Sequence, residues 1–269
     1  MGNDIPVLPV TTCTTWYTYQ SLNNQLFAKL SKCSFGMQQV EYLGHTVSGQ
    51  GVAMDKLKVQ TFLDWSLPTS CKHLRGFLGL TSYYRRFVKR YASIAAPLTN
   101  LLKKDSFTLD DHAIAAFAHL KRAIIAALLL ALHNFAKPFI LETNASRLGI
   151  GATLSQDHHP IAFSSKKLSP KMQRQYAYTC EFYAITEAIA KFCHYLLRHR
   201  FVIRTDQKSL RNLSDQAIQI AEQQNWLHKL LGYDFTIEYK RGKIMWLQIP
   251  FPSHSKWLGL NQSYIFYLY

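Results

Sequence analysis

The sequence is poor in acidic residues, and it has no apolar stretch long enough to cross a membrane. Only 16 Asp and Glu stand against 31 Lys and Arg, so the 269-residue chain has a formal charge of +15. This excess favours a polyanionic partner such as nucleic acid. The longest uninterrupted apolar stretch, Ala123–Leu132, has ten residues. A transmembrane helix needs about 20, so none is expected.

Cysteine is also scarce. The five cysteines are an odd number and form no CxxC pair, which argues against both a disulfide framework and a zinc site. The N-terminus contains Asp4 and two early prolines, and it lacks the basic flank and apolar run of a signal peptide. We therefore expect an intracellular protein, in the cytoplasm or the nucleus, with reduced cysteines. A hydrophobic content of 48% is sufficient for buried cores.

Periodicity predicts a helical region up to about residue 135. A strand-like segment covers Val40–Gly44 and is followed by a turn at Ser48–Gly51. The predicted helices cover 55–65, 70–91 and 113–132.

The helix predicted from Ser70 to Tyr91 has a basic and an apolar face. At 100° per residue, the side chains near Arg75 are mostly basic, and those opposite are apolar. Between Trp65 and Lys104 there are four Lys, four Arg and no acidic residue. A solvated helix surface is the alternative to a phosphate-binding face, and the lack of acids favours phosphate. The predicted nucleic-acid-binding residues are Lys72, Arg75, Gly79, Arg85, Arg86, Lys89 and Arg90.

After a domain boundary near residue 135, strand and helix patterns alternate. Strands are predicted over 139–143, 149–155, 161–165, 201–205 and 235–239, and helices over 176–200, 208–213 and 218–231. Three hairpin-linked strands followed by helices and further strands predict a mixed sheet. The predicted class is α/β, with an α+β N-terminal part.

Three polar residues occupy positions where open α/β sheets bind ligands. Asn144 follows the first of these strands, Glu181 lies inside the long helix, and Asp206 directly follows the strand 201–205. Each residue alone also fits a helix cap, a solvated face or a turn. Their joint placement predicts a site.

Ordered motifs run from about Leu26 to Lys243. In the first half they are Leu43-Gly44-His45, Gly51-Val52, Leu74-Arg75-Gly76-Phe77-Leu78-Gly79-Leu80, Tyr83-Tyr84-Arg85-Arg86-Phe87 and Ile94-Ala95-Ala96-Pro97-Leu98. In the second half they are Leu141-Glu142-Thr143-Asn144-Ala145-Ser146, Gly149-Ile150-Gly151-Ala152 and Arg204-Thr205-Asp206-Gln207-Lys208-Ser209-Leu210. The first set resembles the segment after the reverse transcriptase palm in gypsy-type LTR retrotransposon polyproteins of plants. The second set resembles the RNase H domain that follows it.

This resemblance implies a thumb-like segment that grips a template-primer duplex, and an RNase H fold that cuts the RNA strand of an RNA–DNA hybrid. In that family four carboxylates hold two Mg²⁺ ions. When the family pattern is aligned with this sequence, the first carboxylate corresponds to Asn144, the second to Glu181 and the third to Asp206. The fourth is expected shortly after Lys243 and is absent. Catalysis and metal binding would therefore depend on Glu181 and Asp206 alone, so Mg²⁺ binding is expected to be weak or lost.

The segment after Lys243 indicates a shift of reading frame. The family has an Asn-Val-Ala-Asp-Ala-Leu-Ser-like run there, whereas the chain reads Met245-Trp246-Leu247-Gln248-Ile249-Pro250-Phe251-Pro252. The same bases can also be read in a shifted frame, in which each triplet consists of the last base of one codon and the first two bases of the next. With permitted codon choices, this shifted frame encodes Asn-Val-Ala-Ala-Asp-Ser-Leu-Ser. Met and Trp have one codon each, so the triplet that spans Met245 and Trp246 in the shifted frame can only encode Val.

Four regions are predicted. They are a degraded remnant over 1–25, a palm-end, thumb and connection-like segment over 26–135, an RNase H-like domain over 136–243, and an out-of-frame tail over 244–269. We expect this chain to contain only a small part of the polymerase region. We expect a reverse transcriptase/RNase H-like fragment that binds an RNA–DNA hybrid or duplex without cleaving it. The alternatives are an active Mg²⁺-dependent RNase H endonuclease and a non-functional degenerate gene product.

Overall fold

The computed structural model describes residues 37–104, 106–127, 129–210 and 221–240. The predicted remnant over 1–25 and the predicted tail over 244–269 lie outside the described residues. The N-terminal part contains β1 Gln39–Tyr42, β2 His45–Ser48, β3 Gly51–Met54, α1 Lys56–Asp64, α2 Cys71–Tyr83, α3 Tyr91–Asn100 and α4 Asp111–Ile125. The C-terminal part contains β4 Phe139–Ala145, β5 Gly149–Gln156, β6 His159–Lys167, α5 Pro170–Gln173, α6 Ala177–Leu196, β7 Phe201–Thr205, α7 Ala221–His228 and β8 Phe235–Tyr239.

The N-terminal part begins with a three-stranded antiparallel sheet in the order β1-β2-β3. A tight turn at Leu43 and Gly44 joins β1 to β2, with φ values of 48° and 75°. This turn ends the strand predicted over Val40–Gly44 two residues early. Gly44 suits this position because it has no Cβ to clash at positive φ. The predicted turn at Ser48–Gly51 is confirmed by the pairing of these two residues.

The helices of the N-terminal part pack around one apolar core. Asp55 caps α1, and Ser70 caps α2 by accepting a hydrogen bond from the His73 N–H at 3.2 Å. Phe77 on the apolar side of α2 contacts Phe117 of α4, with the two ring centres 4.6 Å apart. The side chains that form the centre of this core are Phe62, Leu74, Phe77, Leu98, Leu120 and Ile124.

Two helix predictions in this part are wrong in length. The helix predicted to reach Tyr91 ends at Tyr83, because the next residue, Tyr84, is buried and its hydroxyl donates to the Gly44 carbonyl at 3.1 Å. A short 3-10 turn, Arg85–Phe87, follows. The helix predicted over 113–132 ends at Ile125, because Leu130 forms a β-bridge with Val52. In both places a tertiary contact overrides the local helical pattern.

The C-terminal part is a five-stranded mixed sheet in the order β6-β5-β4-β7-β8. The pairs β4–β5 and β5–β6 are antiparallel, whereas β7 is parallel to both β4 and β8. Helix α6 covers one face, where Leu141, Phe182, Ile185 and Ile203 belong to the core. The predicted α/β class with a mixed sheet, preceded by a helical α+β part, is confirmed.

The two parts contact each other through β6. Helix α3 and the 3-10 turn pack against this edge strand, and Phe163 of β6 belongs to the core of the N-terminal part. The Ala92 N–H donates to Ser165 Oγ at 2.9 Å. The sheet edge is therefore covered by the helical part, and a groove forms where the two meet.

Candidate active site and nucleic-acid interface

The structure brings Asn144, Glu181 and Asp206 together at one end of the sheet. Strands β4 and β7 are parallel, with Glu142 opposite Arg204, so the same register places Asn144 beside Asp206. Glu181 approaches from α6, where its Oε1 accepts a hydrogen bond from the Ala145 N–H at 2.6 Å. The joint placement expected from the sequence is thus present in the geometry, although its chemical role remains a prediction.

Glu181 is a buried carboxyl group that is only partly satisfied. Its side chain is 4% exposed, and its Oε2 has no hydrogen-bond partner among the described residues. Burial raises the pKa of Glu181 to about 8, and the nearby carboxylate of Asp206 adds to the rise, while the Ala145 N–H opposes it. With no cation bound, Glu181 is therefore mostly protonated at neutral pH.

Glu142, two residues before Asn144, lies on the same face of β4 but belongs to an ion-pair network. Lys240 Nζ lies 3.1 Å from Glu142 Oε1, and Arg204 Nη1 lies 4.0 Å from it. Arg204 Nε also pairs with Glu238 at 3.0 Å. Because two cations already neutralise Glu142, it is not a free substitute for a missing metal ligand. The sequence pattern gave no signal for this network, which joins three strands.

The residues of this site do not fit two Mg²⁺ ions. Mg²⁺ prefers oxygen ligands, most of them charged carboxylates and water. The described residues contain no group of three or more His, Cys, Asp or Glu side chains placed to hold a metal ion. Asn144 can offer one neutral oxygen, whereas an aspartate at the same position would offer two charged ones.

The predicted basic residues do not form one helical face. Lys72, Arg75 and Gly79 lie exposed along α2, as predicted. Beyond Tyr83 the helix has ended, so the angular positions computed for Arg86, Lys89 and Arg90 are wrong.

The basic residues after α2 have different surroundings. Arg85 and Arg90 are exposed, whereas Arg86 and Lys89 are half-buried. The guanidinium of Arg86 lies 5.8 Å from the ring centre of Phe87. Burial lowers the pKa of Lys89, against the opposing charge of Glu142. The basic surface therefore divides into an exposed stripe on α2, Lys72, Arg75 and Gly79, and a set of cations beyond its end.

Comparison with known proteins identifies the family. Residues 134–233 match the family described as the RNase H-like domain found in reverse transcriptase. The chain is 40% identical over 219 residues to the retrovirus-related Pol polyprotein from transposon 297 of Drosophila melanogaster. The chain belongs to the retrotransposon Pol polyproteins. The match covers 80% of this chain and 20% of the transposon 297 polyprotein.

Solved structures show the fold of this Pol segment. It is similar to the foamy viral protease-reverse transcriptase dRH in complex with double-stranded DNA, with a TM-score of 0.72 at 17% identity over 87% of this chain and 44% of that chain. The foamy viral protease-reverse transcriptase in complex with an RNA/DNA hybrid also gives a TM-score of 0.72, at 16% identity over 88% of this chain and 34% of that chain. The C-terminal part is RNase H-like. None of the described helices of this Pol segment has the length and apolar character of a membrane span.

Proposed function

We propose that this Pol segment binds an RNA–DNA hybrid or duplex nucleic acid through its basic surface and does not cleave the RNA strand. The observation that carries this proposal is Asn144, which lies in β4 next to Ala145, the residue that Glu181 contacts, at the position where the resemblance implies an aspartate. Cleavage needs a charged ligand set for metal ions, whereas phosphate binding needs only accessible cations. The two activities therefore depend on different residues, and one can persist without the other.

The exposed stripe on α2 supports the binding half of the proposal. Lys72 and Arg75 lie one helical turn apart on the solvent side, and Gly79 continues the same side with open space around it. No acidic residue occurs between Trp65 and Lys104 to compete for these cations. Phosphate groups that displace counterions from such a surface bind without sequence preference and with a strong dependence on salt. The two foamy viral structures were solved with nucleic acid, which agrees with this ligand class.

The chemistry of the site formed by Asn144, Glu181 and Asp206 supports the proposal that the RNA strand is not cleaved. An amide at position 144 cannot bridge two cations as a carboxylate does. Glu181 and Asp206 are the two carboxyl groups that lie together here, which is fewer than the four that the resemblance implies for two Mg²⁺ ions. An active Mg²⁺-dependent endonuclease is the alternative function.

Salt-dependent binding of a fluorescent RNA–DNA hybrid tests the proposal. Changing Lys72 and Arg75 together to Gln should reduce the slope of log K against log salt by about 0.9 for each phosphate group that the protein no longer neutralises. Changing Lys104 and Arg122 together to Gln removes the same charge from exposed positions outside this stripe and should change the slope little. Equal effects of the two variants would show that binding reflects net charge alone.

The gypsy-type assignment and the shift of reading frame near Lys243 belong to the same proposal. They explain why the expected final acidic residue is missing. The genomic DNA around codon 243 tests the frame shift, since it either does or does not encode the aspartate-containing run in another frame.

A further inference from the structure

The chain passes from the helical part to the RNase H-like domain through a short linker, residues 130–139, which both parts hold by backbone hydrogen bonds. Val52 of β3 and Leu130 exchange two such bonds, at 2.8 and 2.9 Å. The next residue, Ala131, donates its N–H to the Pro160 carbonyl of β6 at 2.8 Å. The linker is therefore fixed to the helical part on one side and to the sheet on the other.

Histidine and aromatic rings pack together where the linker meets the end of α6. The centre of the His133 ring lies 4.5 Å from that of Phe135 and 5.2 Å from that of Tyr195. The His194 ring lies 4.2 Å from the Tyr195 ring, so Tyr195 contacts both histidines. His199 stacks on Phe135 at 4.7 Å. Three histidines are thus gathered at the boundary between the two parts.

The charged groups that act on two of these histidines are positive. Burial lowers the pKa of His133, and His194 and Arg86 lower it further. Burial lowers the pKa of His194 as well, with further contributions from Lys191 and Arg86. Arg86 belongs to the 3-10 turn of the helical part, whereas Lys191 and His194 belong to α6. Repulsion between these groups therefore acts between the two parts.

The acidic groups closest to this cluster along the chain are already paired. Asp157, in the turn between β5 and β6, forms an ion pair with Lys137 of the linker at 2.5 Å. Glu187, about two turns before His194 in α6, forms an ion pair with Lys166 of β6 at 2.7 Å. Neither carboxylate is free to neutralise a protonated histidine.

The cations of this cluster lack counter-charges. Among the described residues, Arg86 and Lys191 form no ion pair, and the Nε of Arg86 is buried without an acceptor. His45 of β2 is affected by the same guanidinium, since Arg86 adds to the lowering of its pKa by burial. A proton taken up here adds positive charge beside unpaired cations, which is unfavourable.

We propose that the contact between the helical part and the RNase H-like domain is acid-sensitive, and that it loosens when His133 and His194 become charged beside Arg86 and Lys191. Above about pH 6.5, the usual pKa of histidine, both rings are neutral and the contact has its full stability. As the pH falls below this value, the loosened state takes up more protons than the closed state, so the contact weakens. This coupling does not depend on the proposed nucleic-acid binding.

Hydrogen–deuterium exchange of single amides in the full chain, measured by NMR without nucleic acid, tests this coupling. The amides of Leu130, Ala131 and Ala92 report on it, because each donates a hydrogen bond between the helical part, the linker and the sheet. Their protection factors, corrected for the intrinsic effect of pH on exchange, should fall about tenfold from pH 7.5 to pH 5.5, since two new charges meet two cations. The amides of Leu120 and Ile203, in the two cores, should keep their protection.

Histidine variants identify the groups responsible. His133→Gln together with His194→Gln should remove the fall in protection, because glutamine stays neutral over this range. His194→Gln alone changes an exposed position, and it should remove part of the fall even if the double variant does not fold. The matched control is His112→Gln together with His119→Gln, at two exposed positions of α4, which should behave like the unmodified chain.

Three results would overturn the proposal. The first is a protection of the Leu130, Ala131 and Ala92 amides that does not change with pH in the unmodified chain. The second is an equal fall in the unmodified chain and in the variants of His133 and His194. The third is an equal loss of protection in the two cores, because acid would then unfold the whole chain instead of loosening the contact between its parts.

Discussion

Replacing Glu181 by Gln should stabilise the fold at neutral and alkaline pH. The carboxyl group is 4% exposed, one of its oxygens has no partner among the described residues, and its pKa is raised from 4.5 to about 8. The folded state therefore keeps a proton that the unfolded state releases above pH 4.5. Stability from this group is fully present below pH 4.5, falls as the pH rises and levels off above about pH 8.

The size of the effect follows from the pKa difference. One pKa unit corresponds to about 1.4 kcal/mol, so the destabilisation at pH 7 relative to acidic pH is about 3 kcal/mol. Glutamine removes the titration, its Oε1 can still accept the Ala145 N–H, and its amide can donate toward Asp206. For a chain of this size, about 3 kcal/mol corresponds to a rise in Tm of about 6 to 12 °C.

Urea unfolding of the two proteins from pH 5 to pH 9 measures this difference. The stability gap between the Gln variant and the unmodified chain should widen from pH 5 to about pH 8 and then level off. Glu187→Gln is the control, because Glu187 forms a partly exposed ion pair with Lys166, and such pairs contribute about 1 kcal/mol or less. A Glu181→Gln variant that is less stable at pH 8, or whose gap does not change with pH, would refute the reasoning.

Asn144→Asp alone should not restore cleavage of a labelled hybrid in Mg²⁺, since it adds only one of two absent carboxylates; efficient cleavage by this variant would contradict the metal-ligand argument. His45→Phe should make the fold less sensitive to acid below about pH 6.5. Burial, with the charge of Arg86, lowers the pKa of His45, so the unfolded state takes up more protons as the pH falls. Phe preserves the stacking on Tyr83 and Phe87. If the free energy of unfolding in urea falls equally with decreasing pH in the variant and in the unmodified chain, the prediction for His45 is wrong.

The sheet and the placement of the site residues followed from the sequence because their signals are local. Strand β7 was predicted with its observed limits, and the central helix within a few residues of its ends. Asp206 directly follows β7, as predicted, whereas Asn144 was predicted to follow its strand but lies inside β4, which continues to Ala145. Parallel pairing of β4 and β7 then brings the two positions together. Period-two patterns and strand ends are readable in one sequence because neighbouring residues carry them.

The basic surface was predicted less well because long-range contacts decide it. The break after Tyr83 depends on the hydroxyl bonds of Tyr83 and Tyr84 to the turn at Leu43 and Gly44, at 2.7 and 3.1 Å. Helical periodicity contains no information about that turn. Where tertiary contacts fix the backbone, a helical wheel places side chains wrongly.

One assay tests the central claim most directly. The full chain is incubated with an RNA–DNA hybrid whose RNA strand is end-labelled, in Mg²⁺ at neutral pH, and hybrid binding and RNA fragments are measured in the same samples. The expected result is a retained, salt-sensitive complex with no RNA cleavage above that of the hybrid alone. Mg²⁺-dependent cleavage by the unmodified chain that is abolished by Glu181→Gln would contradict it.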